Sequence, residues 1–215
     1  MESSFWNEVW NEGQIGFHQS EINKNLKKFA PKFKGHSIVL VPLCGKSKDM
    51  CFLAEQGHKV HGVEIVEKAI IEFQEENKSH WELTPISEFK KYSSPQIDLY
   101  LGDFHHFSSL GITYDSIFDR ASMIALPPAM RKTHARELSC LTNTSGNILL
   151  ITLEYPQEKV PGPPFSVPKN EVEQLFQDKF FIEELSHETT KNIGQKFINA
   201  GIKKVAQRVY WLTKK

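Results

Sequence analysis

Short apolar runs and longer segments of helical period alternate along most of the chain. "HSIVLVP" (36–42) is a continuous apolar run of the kind buried on both faces of a parallel sheet. "SKDMCFLAEQG" after it places Met50, Leu53 and Ala54 at helical spacing, with Gly57 as the stop. "HKVHGVE" (58–64) predicts a second strand and "VEKAIIEFQEEN" (66–77) the helix that follows. The rhythm resumes with strands at "IDLYLGDF" (97–104) and "YDSIFD" (114–119), a helix around "MRKTHARELSCLT" (130–142) and a strand at "GNILLITLEY" (146–155). Repeated strand and helix steps predict an α/β fold with a mostly parallel sheet and right-handed crossovers. After "PGPPFSVP" (161–168) the rhythm breaks. A helix, "KNEVEQLFQ" (169–177), leads into two strand-like stretches, "KFFIEEL" (179–185) and "KKVAQRVYWLT" (203–213), which predict an antiparallel pair at one edge of the sheet. Before the first strand, "SFWNEVWNEG" and "EINKNLKKFAPKF" read as two short helices. The expectation is one domain, residues 1–215, with 1–34 as an N-terminal helical extension.

Composition narrows the function classes. With 215 residues and 40% hydrophobic content the chain is long enough to bury a sizeable core. Its 26 Lys and Arg balance 26 Asp and Glu, so no charge excess points to nucleic acid or an anionic membrane, and a small molecule is the expected partner. The N-terminus "MESSFWNEVWNEG" is unlike a signal peptide, and the longest apolar runs are too short to span a bilayer. Three cysteines, Cys44, Cys51 and Cys140, form no even set and no CxxC pair, which suits a reducing compartment. A cytoplasmic monomer is expected. Adjacent His105 and His106 lack further ligands at fixed spacing, and no metal is expected.

The most conspicuous motif is the Gly-Lys-Ser at the end of "VPLCGKS" (41–47), which also closes phosphate-binding loops. Such a loop needs a further glycine five residues before Gly45, where this chain has Leu40, and Pro42 offers no N–H to a phosphate. The dinucleotide fingerprint fails as well, since one glycine stands between Pro42 and Ser47. Glu64, however, ends the second strand 19 residues after Gly45, close to the roughly 20-residue offset at which an acid reaches ribose hydroxyls. A ribose without a pyrophosphate points to S-adenosylmethionine. A solvated strand-end carboxylate is the other reading of Glu64.

Several stretches together resemble the thiopurine S-methyltransferase family: "FWNEVW", "GFH", "VPLCGKSKDM", "GHKVHGVE", "GDF", "DRASMIALPPAMR" and "PGPPFSVP", in order over nearly the whole chain. The resemblance implies a class I S-adenosylmethionine-dependent, Rossmann-like fold, a seven-stranded mostly parallel sheet with an antiparallel C-terminal strand and helices on both faces. It implies methyl transfer from S-adenosyl-L-methionine, with S-adenosyl-L-homocysteine as product, to the sulfur of thiopurines or other aromatic or heterocyclic thiols, or to selenium or tellurium compounds. By the same resemblance Trp6, Trp10, Phe17, Leu43, Gly45, Glu64, Asp103, Phe104 and Arg120 contact the cofactor. Phe17, Arg120, Pro163, Pro164, Phe165 and Lys196 border the acceptor, and the extension 1–34 covers the cofactor site.

Each residue also has a plainer reading. Trp6 and Trp10 share one helix face, either as a lid or as a pin holding the helix to the sheet. Asp103 either meets the adenine edge or is an ordinary turn residue after a strand. Arg120, the candidate catalytic residue, either grips a carboxylate or an anionic acceptor or pairs with a neighbouring acid. "PGPPF" (161–165) is a stiff apolar lip or a linker. Cys44 reads as a packing residue, Lys46 as a bystander and Ser47 as a helix cap. Lys196 stands where animal members of the family carry an arginine, and "LGDFHHF" (101–107) is closer to bacterial members. The implied mechanism is in-line displacement without a covalent enzyme intermediate or an obligatory general base. The competing readings are a thiol or halide methyltransferase of a related family, a nicotinamide- or nucleotide-dependent enzyme, and a cofactor-binding regulator.

Overall fold

The computed structural model describes residues 3–191 and 193–215. A single sheet runs through it in the order β3-β4-β5-β2-β1-β6-β7-β9-β8. Its centre is parallel: β1 (Ile38–Pro42) lies between β2 (Lys59–Glu64) and β6 (Tyr114–Arg120), with β5 (Ile97–Leu101) outside β2 and β7 (Thr142–Glu154) outside β6. Strand order reverses on either side of β1, so the carboxyl ends of β1 and β6 flank the switch point where ligands of such sheets lie.

Alternation along the central strands builds two cores. Leu40, Val63, Ile117, Ile148 and Leu150 point to one face, against Leu138 and Leu141 of α5 (Pro128–Leu141) and Val172 and Phe176 of α6 (Lys169–Phe176). Val39, Val41, Val60, Phe118, Leu149 and Ile151 point to the other face. There they meet Leu26 of α2 (Lys24–Phe29), Met50 and Leu53 of α3 (Asp49–Glu55), and Ile70 and Phe73 of α4 (Glu67–Asn77). Two-sided burial explains why these strands read as unbroken apolar runs. α1 (Ser3–Asn11) adds a smaller cluster, Trp10 on Val66 and Ala69.

The C-terminal pair is antiparallel as expected: β9 (Val205–Lys214) pairs with β7 and β8 (Phe180–Thr190) lies outside it. Between them sits α7 (Gln195–Asn199), a short helix absent from the sequence reading. The larger departure is at the opposite edge, where β3 (Glu82–Ile86) and β4 (Phe89–Ser93) form a hairpin antiparallel to β5. The sheet therefore has nine strands where seven were expected. β3 is exposed along most of its length and carries Pro85, so it has no apolar alternation, and proline is tolerated because the strand is an edge. Among the described residues no helix is long and apolar enough to cross a membrane, and no group of acids, cysteines and histidines is placed to hold a metal.

Candidate active site

The loop after β1 is shaped from below. Gly62 of β2 has no room for a side chain: a Cβ there would stand 2.8 Å from Cys44 Sγ and from Met50 Sδ. The loop thus settles directly on β2, and the N–H of Cys44 donates to the Val63 carbonyl at 3.0 Å. Burial and the nearby Glu64 carboxylate push the Cys44 thiol well above its ordinary range, leaving a packing group and not a nucleophile. Leu43 adopts φ of 45° and Gly45 φ of 53°. The left-handed conformation is costly for leucine and free for glycine.

Glu64 closes this loop. One carboxylate oxygen accepts the Gly45 N–H at 2.8 Å, and the other accepts those of Ile65 and Val66 at 2.8 and 2.9 Å. Burial pushes its pKa up while these three N–H groups pull it down, and the upward effect prevails. The lone pairs left over can accept a ligand hydroxyl. Lys46, by contrast, is committed to Glu72 at 2.9 Å and Glu76 at 2.8 Å on α4. With its lysine on α4 and the N–H groups of Cys44, Gly45 and Ser47 bonded to Val63, Glu64 and Cys44, the Gly-Lys-Ser loop is not arranged as a phosphate cradle. The Ser47 hydroxyl accepts the Asp49 N–H at 3.3 Å at the start of α3.

Above these strand ends lies a cavity of about 880 Å³, within the roughly 300–1,000 Å³ usual for small-molecule sites. Its lining includes Trp6, Trp10, Phe17, Leu43, Gly45 and Glu64. Phe17 meets the two tryptophan rings edge-on, with centroids 5.9 and 6.0 Å away. A Cβ on Gly45 would reach Trp10 at 3.3 Å, so glycine keeps this space open. Ile124, Ile151, Leu153, Pro163, Lys196, Phe197 and Gln207 also line it. Arg120, at the end of β6, stands at the cavity with Nε donating to Asp49 Oδ2 at 2.9 Å. Ala121, next along the wall, has φ of 65°, a second non-glycine residue in the left-handed region beside this cavity.

Not every sequence-predicted residue reaches the cavity wall. Asp103 caps the short 3-10 turn Phe104–Leu110 by accepting the His105 N–H at 2.9 Å, which is its turn reading. Phe104 is buried in the core against the His134 ring. Phe165 folds back over Gly162, its ring facing the Arg131 guanidinium and its N–H bonded to the Ile124 carbonyl, while Pro163 and Pro164 line the cavity. Lys196 lies on α7, outside the hairpin strands, and donates to the Pro163 and Pro161 carbonyls, clasping the proline lip. Burial lowers its pKa. Asn23 and Gln207 lie in no quoted motif, and Asp49 and Ile124 lie in motif stretches without a role read for them; the places of all four follow from tertiary packing.

An open aromatic lining, a strand-end acid and a single-glycine turn fit a nucleoside without phosphates. Trp6, Trp10, Phe17, Leu43, Gly45 and Glu64 are the residues that could hold S-adenosylmethionine. The chain matches the family described as thiopurine S-methyltransferase over residues 1–215. It is 41% identical over 221 residues to a thiopurine S-methyltransferase of Shewanella piezotolerans and 38% identical over 218 residues to that of Shewanella pealeana, in both cases covering 100% of each chain. Among solved structures it is similar to an S-adenosylmethionine-dependent methyltransferase of Anabaena variabilis, with TM-score 0.68, 16% identity, and 99% and 95% of the two chains covered. The chain belongs to the thiopurine S-methyltransferase family.

Proposed function

We propose that this chain transfers a methyl group from S-adenosylmethionine to the sulfur of thiopurines or other aromatic and heterocyclic thiols, with selenium or tellurium compounds as further acceptors. The observation that carries the proposal is a guanidinium, that of Arg120, at a largely apolar cavity beside the loop and acid that suit a nucleoside. When bound, S-adenosylmethionine supplies a methyl group already activated on a sulfonium.

The protein's part is placement and environment. Glu64 and Gly45 fix the ribose end, and the aromatic faces of Trp6, Trp10 and Phe17 suit a cationic sulfur. Ile124, Ile151, Leu153 and Phe197 keep water from the acceptor. A thiolate loses its charge as it is methylated, so a dry wall favours the change. Arg120 holds the acceptor's negative charge until then. The segment 1–34 acts as cover for the cofactor end of a single-domain enzyme. A monomer is the acting species of this reading, and three unpaired thiols suit the cytoplasm.

The test is a methyl-transfer assay over aromatic thiols, small thiols, iodide, selenite and tellurite. Arg120→Ala is expected to lower kcat/KM for an aromatic thiol about tenfold to a hundredfold, the worth of a hydrogen bond to a charged group. Unchanged turnover and acceptor affinity in that variant would reject the role. Methyl iodide or methanethiol in the headspace as the main product would favour the thiol and halide reading instead.

A further inference from the structure

Asp49 opens α3 and lies within the "VPLCGKSKDM" stretch without a contact assigned to it from the sequence, yet both of its carboxylate oxygens are committed. Oδ2 accepts the Arg120 Nε–H at 2.9 Å, and Oδ1 accepts the backbone N–H of Asn23 at 2.8 Å. The side chain of Asp49 is 2% exposed and that of Arg120 13%. Asn23 lines the cavity, and its own side-chain oxygen caps α2 by accepting the N–H groups of Asn25 and Leu26. One carboxylate therefore ties the N-terminal segment to the arginine at the end of β6.

Arginine has many rotamers in solution, and a guanidinium held through Nε by a fixed acceptor meets its ligand without having to be ordered first. Ser47 adds a second hold, its hydroxyl accepting from Nη2 at 3.4 Å. Beyond these two bonds no further hydrogen bond of the Arg120 guanidinium is seen among the described residues, and Arg120 lines the cavity. We propose that Asp49 is a positioning residue: it fixes the Arg120 guanidinium for the acceptor and makes that placement depend on docking of the segment that ends at Asn23. The inference rests on the reading of Arg120 as the group that holds the acceptor.

Asp49→Asn is the informative change. It keeps volume and an oxygen for the Asn23 N–H, but turns an NH₂ toward Arg120, where donor meets donor. In the unaltered protein it should lower kcat/KM for an aromatic thiol about tenfold or more, mainly through KM. In the Arg120→Ala background the same change should alter kcat/KM less than twofold, because nothing remains to position. An effect below twofold in the unaltered protein, or an equal loss in both backgrounds, overturns the proposal. Arg120→Ala without effect instead rejects the underlying role of Arg120, and the proposal with it. A measurement without variants of Asp49 stands beside these. The Arg120 Nε–H resonance, assigned by its loss in Arg120→Lys, should exchange slowly in the ligand-free protein, and free exchange would also overturn the proposal.

Discussion

At the scale of single residues the site depends on missing atoms as much as on present ones. Gly62 is the floor on which the loop after β1 rests, with Cys44, Met50 and Leu99 all within 2.9 Å of where a Cβ would stand. Gly62→Ala forces that contact apart and is expected to cost about 1–3 kcal/mol of stability, the range for overpacking a core, read from urea denaturation. Because the loop would lift with it, S-adenosylhomocysteine should also bind more weakly in calorimetry. Retained stability and affinity would mean that the loop does not need this floor. Sequence spacing singled out Glu64, but its bond to the Gly45 N–H was invisible, since it depends on the loop after β1 settling on Gly62, while the N–H groups of Ile65 and Val66 come from the turn that follows Glu64 itself. Asp49 illustrates the converse. In sequence it is one acid in a first helical turn, and only the approach of β6 gives it Arg120.

Among elements, α1 shows how a short helix becomes part of a site. It has one buried residue, Trp10, which packs on Val66 and Ala69 at the start of α4 and whose carbonyl accepts the Lys68 Nζ–H at 3.0 Å. Replacing a buried tryptophan with alanine costs about 3–5 kcal/mol in a core, more than so small a unit can spare, so the loss should fall on docking and not on the global transition. Trp10→Ala is expected to speed hydrogen exchange in residues 3–11 and weaken S-adenosylhomocysteine binding, with the denaturation midpoint little changed. A fall in that midpoint with unaltered exchange would make the helix part of the main core. The tryptophan spacing offered lid and pin alike, and packing shows both contacts in one ring: Trp10 sits on α4 and lines the cavity. The β3–β4 hairpin was missed for the opposite reason, as an exposed edge strand carries no alternation to read.

For the molecule as a whole, histidines whose pKa burial lowers are expected to make stability fall in acid. His61 of β2 lies within the sheet beside Asp98, with its Nδ1 2.9 Å from the Tyr114 hydroxyl. Burial lowers its pKa to about 4; Asp98 opposes the shift, and Lys91 and Lys59 add to it. Unfolded chains take up this proton near pH 6.5, whereas the folded protein resists it until about pH 4. The unfolded state thus binds more protons in that window, so stability is whole above it and declines as pH falls through it. Burial lowers His18, His58 and His105 in the same direction. The urea midpoint should drop from pH 7 toward pH 4.5, with a shallower slope in His61→Asn. An equal slope in that variant would assign the acid response to other groups.

The sequence by itself determined the parallel centre of the sheet, the edge pair at its C-terminal side, the failure of a phosphate loop and the carboxylate at the end of β2. Each is written in local pattern: period, glycine count, and the offset of an acid from a turn. Tertiary structure alone decided which side chains share the cavity. It buried Phe104 beside His134, turned Phe165 beneath Arg131, set Lys196 on the proline lip, and joined Asn23 and Arg120 through Asp49. These are contacts between residues far apart in the chain, fixed by how two cores pack on one sheet, and no local spacing encodes them.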